Sequence, residues 1–276
     1  MNIQDFKNIF RPFLFALAIV IGIYISVLEL YANNNQNGFI FFTIATFLIF
    51  IFELVDHFWH KSKKVQINLK FGDKINELWE IVNKVIIPAA LYFGIILYAG
   101  IHIASMNLPI LLIFVFFLLL VLFLNINYFF KNNITLEHKT HFIYDLIKFT
   151  LFYLYIDFIV NWASRNVNLQ NYFLAFVFVT VVSIILKLLI LWKSEILSKF
   201  NIFVVILSSF VSGICYIMFV LLNLVRVTEI SWFLLYLFYI SIAIIHHKSE
   251  GTLTKKVVYE YFFVLILLFV LFVGLR

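Results

Sequence analysis

The densest group of residues able to do chemistry is Glu53-Leu-Val-Asp56-His57-Phe-Trp-His60. On a helix, positions i, i+3, i+4 and i+7 share one face, so Glu53, Asp56, His57 and His60 would place two carboxylates and two imidazoles on one stripe. Such donors suit a divalent cation, magnesium included. With an open coordination position they could also activate water or bind phosphate, and the same groups can act directly as acid and base. A second stretch, Glu137-His138-Lys-Thr-His141-Ile-Tyr-Asp145, sets His138, His141 and Asp145 on one face if the helix begins that early. His246 and His247 form a third histidine site. The alternative is that these histidines sit separately at a membrane interface, apolar body inward and polar tip outward, and do no chemistry.

The elements that must hold these residues are set by composition. The chain has 276 residues, 64% of them hydrophobic, 20% aromatic and only 12% charged. A soluble domain carries about 25% charged residues, so this surface must face lipid. The expected fold is all-α, a polytopic transmembrane bundle forming a single integral membrane domain over residues 1–276. Nine apolar runs are long enough to cross a bilayer, at 12–32, 39–55, 85–104, 109–130, 141–163, 171–192, 202–224, 231–247 and 257–275. No small-residue cleavage site follows the first run, which reads as a retained helix. Pro12, Pro88 and Pro109 fall at or near predicted span starts, where proline costs little.

Basic residues set orientation. With the N-terminus cytoplasmic, 15 of the 20 Lys and Arg fall in cytoplasmic segments, against Arg165, Arg226 and Arg276 outside. This alternation gives N-in and C-out, explains the net charge of +6, and leaves no reason to invoke nucleic acid. The three histidine sites then all lie at cytoplasmic helix ends. Between spans two and three, Ile75, Leu78, Trp79 and Val82 form the apolar stripe of a short interfacial helix.

The expected midplane is nearly uncharged, holding hydroxyls such as Thr180, Ser183, Ser208, Ser209 and Ser212. Lys148 and Lys187 lie within about two turns of the inner face, from which their side chains can snorkel to the headgroups. No charged relay crosses the centre, which lowers the ion-channel and pump readings. The single cysteine, Cys215, excludes an internal disulfide and any CxxC motif.

The layout resembles the UbiA superfamily of membrane prenyltransferases. Nine helices with N-in topology, and Arg11-Pro12 opening the first span, are similar to that family. The resemblance implies that Glu53, Asp56 and His60 replace the three aspartates of the family's first aspartate-rich motif, which holds magnesium against a prenyl diphosphate. Phe52 stands where the family has asparagine, and 193–199 contains no second aspartate-rich motif.

The function expected is therefore that of a membrane-embedded enzyme on a lipid or isoprenoid substrate at the cytoplasmic face. The bilayer is its surrounding partner, and a cell or inner membrane its location. The alternatives are a transporter or lipid flippase, and a non-catalytic subunit of a membrane complex.

Overall fold

A computed structural model describes residues 3–62, 82, 86–102, 109–110, 112–121, 137–191, 198–222 and 227–274, with side chains left aside at 3–9, 31, 53–62, 137–144, 227–228 and 272–274. The described residues form nine helices and no strand. They are α1 (Ile3–Tyr31), α2 (Gln36–Ser62), α3 (Ile87–His102), α4 (Leu112–Val121), α5 (Glu137–Arg165), α6 (Leu169–Leu191), α7 (Lys199–Leu221), α8 (Val227–Ser249) and α9 (Lys255–Gly274). Each overlaps one expected apolar run. Among the described residues, five stretches are long and apolar enough to cross a membrane: Phe10–Leu30, Asp145–Arg165, Leu169–Leu191, Lys199–Leu221 and Glu229–Ser249. The interfacial stripe expected at residues 75–82 lies outside the described residues apart from Val82.

Helix ends extend past the apolar runs. The α1 helix begins at Ile3, so Pro12 lies inside it and not at its start. Proline cannot donate to the carbonyl four residues earlier, but one missing bond does not stop a helix whose neighbouring turns stay bonded. The α1–α2 turn is closed by side chains. Glu29 accepts from Asn33 Nδ2 at 3.1 Å and from Asn35 Nδ2 at 2.8 Å, and Asn35 Oδ1 accepts from the Gly38 amide at 3.0 Å. Asn34 adopts φ 49°, a left-handed conformation that asparagine tolerates better than most residues.

The chain forms two compact units, residues 1–147 and 148–276. In the first, α1 buries Ala16, Ile19, Ile23 and Val27, a stripe at three- and four-residue spacing. Gly22 lets α2 approach closely: a methyl group there would run into Thr46. Ser26 donates to the Gly22 carbonyl at 2.7 Å, and Tyr92 of α3 donates to the Thr43 carbonyl at 2.8 Å. Phe13 meets Phe116 of α4 edge to face at 5.5 Å.

In the second unit α5, α6, α7 and α8 pack as a bundle. Phe238 of α8 stacks on Phe152 of α5 at 4.2 Å, while Leu191, Val205 and Ile245 join α6, α7 and α8 in one apolar cluster. The α9 helix touches α7 through Phe219 and Phe269, and α8 through Tyr239 and Tyr261. Much of the rest of α9 is exposed and apolar, including Tyr259, Phe262, Phe263, Ile266 and Val270. A surface of this kind is a liability in water and ordinary in lipid.

Candidate functional site

The backbone of α2 runs unbroken from Gln36 to Ser62, so Glu53, Asp56, His57 and His60 do occupy one helical stripe. Their side chains lie outside the described residues. The α5 helix does begin by Glu137, which puts positions 138, 141 and 145 on one stripe. The side chains of His138 and His141 are likewise outside the described set, and Asp145 is half-buried. Among the residues whose side chains are described, no three His, Cys, Asp or Glu gather as a metal site.

The third histidine site is a turn. Nδ1 of His247 lies 2.9 Å from Thr252 Oγ1, and the Thr252 amide donates to the His247 carbonyl at 2.9 Å. His247 is thereby engaged locally, closing the α8–α9 connection.

The most unusual chemistry is inside the second unit. The row Ala175, Val179, Ser183, Lys187 and Leu191 repeats every four residues along α6 and is fully buried throughout. Lys187 does not reach out of the bundle: it is 0% exposed, and its Nζ donates to Ser208 Oγ of α7 at 3.0 Å. Its ammonium also lies 5.5 Å from the centre of the Phe238 ring on α8, within cation–π range. Ser208 in turn donates to the Val205 carbonyl at 3.1 Å, leaving its lone pairs for the lysine. Lys148 of α5, also buried, donates to the Leu189 carbonyl at 3.2 Å. Snorkelling, open to both lysines from their place in the sequence, is therefore replaced by burial. The i+4 spacing of Ser183 and Lys187, on the row of Ala175 and Val179, was the signal: the polar residues lie on the helix face that also carries its smallest side chains.

Hydroxyls continue this row. Ser183 and Ser209 are fully buried, and the Oγ of each finds no hydrogen-bond partner among the described residues. The same holds for Tyr216 Oη and Ser231 Oγ. Ser212 donates to the Ser208 carbonyl at 3.0 Å. On α5, Asp157 is buried and accepts from Asn161 Nδ2 at 3.1 Å. An unpartnered buried hydroxyl costs about 1–3 kcal/mol, so several in one small bundle mark a place where packing alone was not optimised.

Contacts fix how these groups line up. Lys187 meets Ser208, and Gly213 packs on Thr180 and Phe176, so α6 and α7 run antiparallel with Ser183 level with Ser209 and Ser212. Small residues at 209 and 213 permit that close approach. The arrangement can do one thing an apolar bundle cannot: offer a cation and several hydroxyl donors in a region shielded from water. Compared with known proteins, the chain matches no family model, no curated protein and no solved structure.

Proposed function

We propose that this chain is a multi-pass membrane protein of nine spans, N-in and C-out, acting as a membrane-embedded enzyme on a lipid or isoprenoid substrate at the cytoplasmic face. The observation carrying this reading is the continuity of α2 to Ser62, seven residues beyond the apolar run that ends at 55. The helix therefore leaves the apolar slab still helical, with Glu53, Asp56, His57 and His60 on one stripe. Their oxygen and nitrogen donors fit a divalent cation, which would supply charge neutralisation for a phosphate-bearing substrate. Failing a cation, a carboxylate and an imidazole on adjacent turns can serve as base and acid. His138, His141 and Asp145 form the second candidate set. The UbiA-like layout is part of this reading and rests on Arg11-Pro12 and the 53–60 stripe.

Metal content of the purified full-length protein tests the reading. The wild type should carry a stoichiometric divalent cation that is lost in His57→Ala/His60→Ala and in Glu53→Gln/Asp56→Asn. A metal-free wild type, or variants that retain the metal, would remove the metal-dependent form of the proposal.

A transporter or lipid flippase is the second reading, favoured by one observation. Buried polar groups occur along α6 and α7 from Lys187 and Ser208 to Tyr216, about 12 Å of helix rise at 1.5 Å per residue. Movement of labelled lipid across vesicles, abolished by changes along this row and untouched by changes in α2, would select it over the enzyme.

A further inference from the structure

We propose that the end of the second unit where α7 begins, α8 ends and α9 begins is a binding surface for an anionic phospholipid, its headgroup held by Lys199, Lys248, Lys255 and Lys256. The proposal needs only that these helices lie in a membrane. It holds whether the α2 stripe is catalytic or inert.

Contacts between helices bring the four lysines to one rim. Leu191, Val205 and Ile245 pack together at this end of α6, α7 and α8. Lys248, in the last turn of α8, places its ammonium 2.9 Å from the centre of the Phe200 ring, next to Lys199 at the start of α7. The Tyr261 ring of α9 lies 6.1 Å from that of His247, and Lys255 and Lys256 open α9. A ring face attracts an ammonium without neutralising it. Phe200 therefore positions Lys248 and leaves its charge intact.

The rim carries an excess of cations. All four lysines are exposed, and they stand with two exposed carboxylates, Glu250 and Glu260. Glu260 is 3.9 Å from Lys256, and an exposed pair of this kind contributes little. The other ionisable groups near this end are offset or engaged. Asp145 lies one turn before the buried Lys148 on α5, Lys187 is buried against Ser208, and His247 is held by Thr252. His246 is half-buried. Lys193 and Glu195, one of each sign, fall outside the described residues. At the opposite end of the unit, the described charges are Arg165, Glu229 and the buried Asp157, with no excess of cations. The positive surface thus belongs to one end, and its complement is an anion.

The surface beside the rim selects a lipid over a soluble anion. Phe203 of α7 and Tyr259, Phe262 and Phe263 of α9 are exposed within about two turns of the lysines. A soluble phosphate would meet the lysines alone. An anionic phospholipid meets both surfaces, with its phosphate at the lysines and its acyl chains along the apolar faces. Lysine suits this place, since its stem lies on apolar surface while its ammonium stays at headgroup level. Basic clusters beside a span attract anionic lipid, each cation raising affinity by about fivefold.

Thermal unfolding of the full-length protein in neutral maltoside detergent tests the surface. The probes are phosphatidylglycerol, phosphatidylcholine with the same acyl chains, and inorganic phosphate. Phosphatidylglycerol should stabilise the protein saturably, and the other two should not. Lys255→Gln should raise the midpoint lipid concentration about fivefold, and Lys248→Gln/Lys255→Gln about 25-fold. Lys248→Arg/Lys255→Arg should bind nearly as the wild type does. Arg165→Gln, which removes one cation at the opposite end, should leave the midpoint unchanged. If the double glutamine variant does not fold, Lys255→Gln decides. The proposal is overturned if phosphatidylglycerol stabilises no more than phosphatidylcholine, or if inorganic phosphate reproduces its effect. It is equally overturned if Lys255→Gln binds as the wild type does, or if Arg165→Gln weakens binding as much.

Discussion

The Lys148 ammonium donates to the Leu189 carbonyl across 3.2 Å, tying α5 to the last turn of α6. The final carbonyls of a helix have no partner within it, and its C-terminal end carries partial negative charge. A buried cation placed there adds a charge-assisted bond to a carbonyl near the described end of the helix. Lys148→Met keeps the length of the chain and removes the donor. The expected loss is about 1.5–3 kcal/mol, as for hydrogen bonds to charged groups. It is read as a lowered midpoint of thermal unfolding in detergent, with Lys148→Arg retaining most of the stability. An unchanged midpoint in Lys148→Met would mean that the contact contributes nothing.

The α6–α7 interface depends on Gly213. A Cβ at that position would overlap Thr180 Oγ1 and come within 2.8 Å of the Phe176 ring. Gly213→Ala should therefore destabilise by about 1–3 kcal/mol, the usual cost of overpacking. Thr180→Ala clears part of the space. Combined with it, Gly213→Ala should cost clearly less than it does alone, and the double-mutant cycle measures that coupling. Strict additivity would show that the two helices separate freely to accept the methyl group.

Much of this architecture is legible in the residues, and the exceptions have physical causes. The nine helices of the described residues each overlap an apolar run, because a helix facing lipid is apolar over a long stretch. Their ends are not legible in the same way. Hydropathy marks where a helix meets lipid, whereas the backbone stays helical into polar sequence, as α1 does back to Ile3 and α2 on to Ser62. Lys187 illustrates a second limit. Its distance along α6 permits snorkelling, and only its rotation about the helix axis decides otherwise. That rotation is set by contacts with α7 and α8, which hydropathy does not contain. The Ser183–Lys187 spacing held the clue, since both fall on the row of Ala175 and Val179. The α2 stripe is legible as a stripe, because it needs only that one helix continue.

The α1–α2 turn gives a local test. Asn34 holds φ 49°, where a β-branched residue clashes with its own backbone. Asn34→Gly should leave stability within a few tenths of a kcal/mol or raise it slightly, whereas Asn34→Val should cost about 1–2 kcal/mol. Thermal unfolding of the two variants should thus diverge although both lose the same side-chain amide. Equal losses would assign the role of Asn34 to that amide and not to its backbone.

The proposed orientation makes the turns face alternate sides of the membrane, and the chain's one cysteine simplifies its measurement. Cys215 is replaced by alanine, giving a background free of thiols. Asn35→Cys in the α1–α2 turn and Asn168→Cys between α5 and α6 should then react with a membrane-impermeant maleimide applied to intact cells. Ser249→Cys, at the end of α8, should react only after the membrane is opened. These three positions are exposed to solvent or headgroups, so a lack of reaction reports the side of the membrane and not burial. The reverse pattern would invert the topology and place the α2 stripe outside, where a cytoplasmic substrate could not meet it. Labelling of Asn35→Cys without Asn168→Cys would break the alternation between them. The number of spans from α2 to α5 would then have to change by one, and with it the side of the membrane nearer to the buried Lys148 and Lys187.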